Sequence, residues 1–335
     1  MSAFRLKNSP PETLGFAAAA AVAVLMLGIA PAALPLGAQI ALLAVTVVVL
    51  GLPHGALDAW IARRAGLYKR PWGWAGFNLA YLVLALAVVG AWWLFPITAL
   101  VGFLMISAWH FAGDWQATLE PWQKLIAAAA LLGMPALFHA PEVAAIFIVL
   151  SGPGAEAVAQ GLGIVGLLAL AALGPVLLIA AKKRHWTVIV ELGGLLVLAF
   201  FAPPLVYFAL YFCLLHSPRH LRATIALAPA SERRSLIGQA VVYTLATLAL
   251  AALVAALVLP SGNLSEIALQ MVFIGLAALT VPHMLLMLWA EGQQGNVPAQ
   301  TPVEGIQATR LTESRRANAS TSRAPARPPS TTSGS

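Results

Sequence analysis

Ten long apolar stretches separated by short polar turns constrain this chain more than any other feature, at 13–32, 36–53, 74–95, 97–112, 122–138, 159–181, 186–202, 204–222, 236–259 and 265–289. About 20 such residues, wound as a helix, cross the roughly 30 Å hydrocarbon core of a bilayer. Sixty per cent of the 335 residues are apolar and only 9% are charged, against roughly 25% charged in a soluble domain. The reading is an all-α, polytopic transmembrane helix bundle of about 8–10 spans in a bacterial-type cell membrane. No small-residue cleavage site follows the first stretch, and further stretches of the same kind do, so it is read as a retained span. Prolines interrupt the pattern at "APAALPLGA" and "FFAPPL", and "APEVAAIFIVLSGPG" has the length of half a re-entrant helix. Two regions are expected: a transmembrane domain over 1–291, and a disordered, basic Ser/Pro-rich C-terminal tail over 292–335, whose composition cannot bury a core.

Charge orients the spans. Arg5 and Lys7 precede the first; Arg63, Arg64, Lys69 and Arg70 follow the second; Lys182, Lys183 and Arg184 follow the sixth; Arg219, Arg222, Arg233 and Arg234 follow the eighth. With ten spans these clusters and the basic tail share one side, which places both termini in the cytoplasm. The opposite loops carry Glu142, Glu156 and Glu266. The net charge of +7 therefore belongs to topology and gives no reason to expect nucleic acid. Cys213 is the only cysteine, which excludes an intramolecular disulfide and a cysteine-based metal site.

The chemistry lies in the histidines. His54, His110, His216 and His220 fall at the cytoplasmic ends of even-numbered spans, and His283 lies about two turns before the end of the tenth. His139 falls at the opposite face, and His185 sits in a basic loop. Ionisable residues in spans are costly and face the bundle interior or mark a functional path, so five histidines at one depth point to ligation of a metal or cofactor. Asp58 follows His54 by four residues and Asp114 follows His110 by four. On a helix that spacing shares one face, so each carboxylate is placed to hold its own histidine ring or to accept from a neighbouring one. In "HSPRH" the same spacing offers His216 and His220 to one ion, with Pro218 between them as a kink or helix end. Arg219 is expected at the membrane surface, or paired with Asp58 or Asp114. Glu191, at a similar depth, is a candidate for an interhelical hydrogen bond or a supporting role near the ligands. "LPHGAL" at 52–57 and "VPHMLL" at 281–286 are faintly alike.

Imidazole suits iron, copper, zinc and nickel, and four imidazoles on an octahedral metal leave two positions for dioxygen and substrate. HExxH, CxxC, Walker A and GxSxG motifs are absent from the sequence, and Ser217 beside His216 is no hydrolase pair, because adjacent helical residues point apart. Met105, Trp109, Phe111, Tyr211, Phe212, Met284 and Met287 surround the histidines in sequence and are candidates for a tunnel holding a long apolar ligand. Two rival classes use the same residues: a haem- or copper-binding membrane redox protein, and a transporter, whose polar groups should continue through the bilayer.

"GLPHGALD" (51–58), "SAWHFAGD" (107–114) and "YFCLLHSPRH" (211–220) resemble the signature blocks of the Brp/Blh family of membrane β-carotene 15,15′-dioxygenases. The resemblance extends over about 50–285 and departs from the family pattern at Ala112 and Ala59. It implies non-haem Fe(II) held by His54, His110, His216 and His220, with His283 as a recurring C-terminal feature. It further implies oxidative cleavage of β-carotene or a related carotenoid at the central double bond by dioxygen. Two retinal molecules would result, to be received in some cells by a rhodopsin.

Overall fold

A computed structural model describes residues 9–29, 34–258 and 263–294, of which 291–294 are described by backbone alone. Arg5, Lys7 and the expected tail from 295 onward lie outside the described residues. Among the described residues every regular element is helical. They are α1 (Pro11–Ile29), α2 (Leu36–Arg64), α3 (Pro71–Leu94), α4 (Pro96–Trp115), α5 (Pro121–Phe138), α6 (Ala140–Ser151), α7 (Ala155–Lys182), α8 (Trp186–Phe201), α9 (204–227), α10 (Arg233–Val258) and α11 (Leu264–Gln294).

Proline sets many of the boundaries. Pro71, Pro96, Pro121, Pro141 and Pro204 each stand in the first turn of their helix, where a missing N–H costs nothing and the fixed φ is already helical. Before α5 this is reinforced by a capping box, in which the Glu120 side chain caps the first turn and Gln123 Oε1 accepts from the Glu120 N–H at 3.0 Å.

Within the described residues each of the ten apolar windows falls on a helix, but among those residues α1, α2, α3, α4, α7, α10 and α11 alone are single helices long and apolar enough to span. α5 and α6 form a pair bent by 104° and would make an eighth span together. The count thus meets the lower end of the expected range. The break is at His139 (φ −129°, ψ 47°), just before Pro141, and α6 is the limb read in the sequence as half a re-entrant helix. α8 is apolar but has only 16 residues, and α9 carries Arg219 and Arg222 in its second half. Gly152 turns the chain from α6 into α7 with φ at +84°, a conformation glycine adopts freely.

α5 crosses α7 backbone to backbone at Gly133 and Gly166. A β-carbon on Gly133 would stand 2.5 Å from the Gly166 backbone, and one on Gly166 would overlap the Gly133 carbonyl. Small residues let helices approach this closely where the bilayer supplies no hydrophobic drive. Gly166→Val is expected to force the pair apart and cost about 3 kcal/mol, the upper end for overpacking. A lowered unfolding midpoint in detergent tests this, and an unchanged midpoint would refute it.

Phe16, Leu43, Leu100, Leu131, Leu173, Leu195 and Leu215 are almost fully buried in the central core. α3 and α10 are different. Trp92 is the only buried residue of α3, and the apolar window of α10 has none. These two helices stand at the edge, and they wall one side of the histidine site.

Candidate metal centre

Two π-helical turns build the site. Val47–Gly51 in α2 and Phe212–His216 in α9 each widen the helix, a local distortion common at functional sites. The two meet: the Ser217 hydroxyl donates to the Leu50 carbonyl, and a β-carbon on Gly51 would lie 2.8 Å from the Phe212 ring. His54 follows the first turn and His216 ends the second, so the distortions aim both imidazoles inward.

Five histidines converge from four helices. Ring centroids of His110 and His216 are 4.7 Å apart, His216 and His220 4.5 Å, His54 and His216 5.5 Å, His54 and His283 5.7 Å, and His110 and His283 5.4 Å. One ligand atom from each of His54, His110 and His216 lies within 4.8 Å of the others, and a second such group is Asp114, His216 and His220. His139, which pairs with Glu142 at 4.0 Å, and His185, at the start of α8, are not among them.

Oxygen acceptors fix the tautomers. His54 Nδ1 lies 2.5 Å from the Gly51 carbonyl, His216 Nδ1 lies 3.0 and 3.1 Å from the Asp114 oxygens, and His283 Nδ1 lies 2.8 and 3.0 Å from those of Asp58. Each Nδ1–H donates, which leaves Nε2 as a lone pair. Nε2 of His216 and of His283 is buried with no hydrogen-bond partner, a situation that costs about 1–3 kcal/mol per group. A metal ion is the partner that converging buried imidazole lone pairs fit, and the carboxylate behind each ring is the usual companion of a histidine ligand. The donor set therefore suits the iron implied by the resemblance.

Both carboxylates serve neighbours rather than their own helix. A turn at Ala56 and Leu57 separates His54 from Asp58, and the 3-10 turn Gly113–Trp115 follows His110. The i,i+4 register is therefore lost, and Asp58 reaches His283 while Asp114 reaches His216 and, at 3.2 Å, His220 Nε2. Asp114 also accepts from the Tyr211 hydroxyl at 2.5 Å, and its side chain is fully buried.

Of the two placements expected for Arg219, contact with Asp114 is the one found, through the backbone carbonyl: the side chain is 18% exposed and turns inward, donating to Glu191 Oε1 at 2.5 Å and to the Asp114 carbonyl at 3.0 Å. Glu191 also accepts from Thr13 at 2.5 Å and from the Trp115 indole at 3.0 Å, and Glu12 binds Arg222 through two nitrogens at 2.5 and 3.0 Å. Glu191 is thus an interhelical hub joining α1, α4, α8 and α9. Glu12 and Thr13 were not singled out in the sequence, because they sit at the start of α1, far from any histidine in the chain.

A cavity of about 270 Å³ opens beside the imidazoles, with His54, His110 and His283 in its wall. Of the tunnel candidates, Phe111 and Phe212 line it. Five other tunnel candidates do not. Met105 and Trp109 are 69% and 66% exposed on the outer face of α4, Tyr211 is buried behind Asp114, and Met284 and Met287 lie on α11 outside the lining. The missing wall comes from Phe77 and Tyr81 on α3, Phe103 on α4 and Phe208 on α9. Phe208 stacks on Phe212 at 5.3 Å, and Phe212 on the His216 ring at 5.5 Å.

A sequence model described as beta-carotene 15,15′-dioxygenase matches residues 45–291. A protein of that name from an uncultured marine bacterium, 66A03, is 36% identical over 250 residues, covering 72% of this chain and 90% of the relative. A probable beta-carotene 15,15′-dioxygenase Blh from Halobacterium salinarum is 27% identical over 297 residues, covering 77% and 86%. No solved structure matches.

Proposed function

The chain belongs to the beta-carotene 15,15′-dioxygenase (Brp/Blh) family and is a dioxygenase acting in the membrane, and from that premise we propose that it cleaves β-carotene, or a related carotenoid, at the central 15,15′ double bond into two molecules of retinal. His54, His110, His216 and His220 hold a non-haem Fe(II). The observation that carries this reading is the buried, partnerless Nε2 of His216, beside His54 and His110 at the wall of an aromatic cavity.

Bound iron supplies activation of dioxygen next to the polyene. The net reaction replaces one C=C bond by two C=O bonds, and one dioxygen provides both oxygen atoms, so no external reductant and no proton donor is needed. The Asp58–His283 pair in the cavity wall therefore has no acid–base step to perform. The side chains do the rest. Phe111, Phe208 and Phe212 grip the centre of the polyene and keep water from reactive species, and the face of Phe111 favours positive charge developing on the chain. Asp114 holds the His216 and His220 rings in place. At about 270 Å³ the cavity is at the small end of ligand sites, roughly 300–1,000 Å³, so it takes the middle of the polyene while the end groups extend toward lipid. The loosely packed walls, α3 and α10, are the side from which an apolar substrate arrives.

The catalytic unit is residues 1–291; with the bent pair counted as an eighth span the number is even and basic loops on one side put both termini in the cytoplasm, and a rhodopsin is a fitting recipient of the product. Expression in cells that accumulate β-carotene tests the reading. Loss of carotene with retinal appearing in the extract is expected, together with purified protein that contains iron and has no Soret band. Unchanged carotene would overturn the substrate assignment, and a Soret band would replace non-haem iron with haem.

A further inference from the structure

We propose that His283 is a fifth imidazole donor to the metal, positioned by Asp58 and Tyr81. The proposal rests on the reading of the cluster as a metal centre and extends it to a helix, α11, that lies far in sequence from the other donors.

Three observations carry it. First, His283 is presented as His216 is: a carboxylate accepts from Nδ1, at 2.8 and 3.0 Å for Asp58 and 3.0 and 3.1 Å for Asp114, while Nε2 is buried without a partner in both rings. Second, His283 lies as near as His220 to two of the four donors, His54 and His110, while of the two only His220 falls in a tight donor group, with Asp114 and His216. The His283 ring stands 5.7 Å from His54 and 5.4 Å from His110, against 6.3 and 5.5 Å for His220. Third, its side chain is 8% exposed, whereas that of His220 is 36% exposed and turns Nε2 to Asp114.

The support behind His283 is itself built. The Tyr81 hydroxyl donates to Asp58 Oδ2 at 2.9 Å and lies 3.1 Å from the Leu279 carbonyl, so α3, α2 and α11 are tied together behind one ring. Tyr81, Asp58 and His283 all line the cavity. A carboxylate–imidazole pair of this kind raises the basicity of the ligand and fixes its orientation. With five imidazoles a six-coordinate ion would have one position left for an exogenous molecule, and His54, His110 and His283 stand in the cavity wall from which such a molecule would enter.

Co(II) replaces Fe(II) as the probe, because its visible absorption changes with the number of donors. The full-length protein, stripped of metal by chelator and kept in detergent, is titrated with Co(II). His283→Ala is expected to bind Co(II) with altered and stronger visible bands and with affinity lowered by more than about 100-fold, beyond the range for losing an outer partner of a ligand. Added imidazole should enter the cavity and restore the wild-type spectrum. Asp58→Asn should weaken binding about 10-fold and keep the wild-type bands, and His139→Ala should change nothing. Because alanine at 283 leaves a hole, His283→Gln serves as the second variant: its amide can still donate to Asp58, and it should show the same altered bands.

Spectra of both His283 variants that superimpose on wild type, while His216→Ala alters them, would overturn the fifth donor and leave the four-histidine centre standing. Wild-type protein that binds neither Co(II) nor Fe(II) would overturn the metal centre and this proposal together.

Discussion

His216→Ala will insert into the membrane with its helices intact and lose bound iron, its affinity falling by more than about 100-fold, beyond what removal of an outer partner of a ligand costs. His216 is the most constrained imidazole of the site. It is fully buried, ends the π turn of α9, stacks on Phe212 and takes Asp114 on Nδ1, so no other side chain can occupy its position. Conversion of β-carotene should vanish with the iron. Iron analysis of the purified variant, beside circular dichroism to show the helices retained, is the check; a normal iron content would remove His216 from the ligand set.

Asp114→Ala has the second-largest expected effect, on both stability and metal. One carboxylate accepts from His216, His220 and Tyr211, and its removal strands His216 Nδ1 and the Tyr211 hydroxyl in the interior. Each buried donor left unpaired costs about 1–3 kcal/mol, so a loss of several kcal/mol is expected, with a lowered unfolding midpoint. Iron affinity should fall about 10–100-fold as the His216 and His220 rings lose their orientation. Asp114→Asn keeps one carbonyl oxygen as acceptor and is expected to fall between wild type and alanine. Unchanged iron binding in Asp114→Ala would mean that packing against Phe111 and Phe212 alone orients His216.

The polar network around Arg219 ties α1 to a site that holds none of its residues. Glu12 and Thr13 reach Arg222 and Glu191, Glu191 holds Arg219, and Arg219 caps the carbonyl of Asp114. Buried charges are tolerated when each is paired and hydrogen-bonded, as these are.

The sequence by itself determined the membrane setting, the helical class and which ionisable residues to look for inside the bundle. Apolar length is read directly from the chain, and an ionisable residue within a span carries a cost that marks it as functional wherever it falls. His54, His110, His216, His220 and His283 stood out on that ground, Asp58 and Asp114 by their spacing from two of them, and the structure brings all seven together. Tertiary structure decided which side chains meet. The turn at Ala56 and Leu57 and the 3-10 turn at Gly113–Trp115 break the helical register on which spacing arguments depend, so Asp58 and Asp114 left their own histidines for those of other helices. It also decided which aromatic residues face the cavity. Lipid is as apolar as the protein interior, so the pattern that separates inside from outside in a soluble helix is missing here. Trp109 and Phe111, two residues apart, could not be told apart until the bundle turned one toward the bilayer and the other toward the histidines.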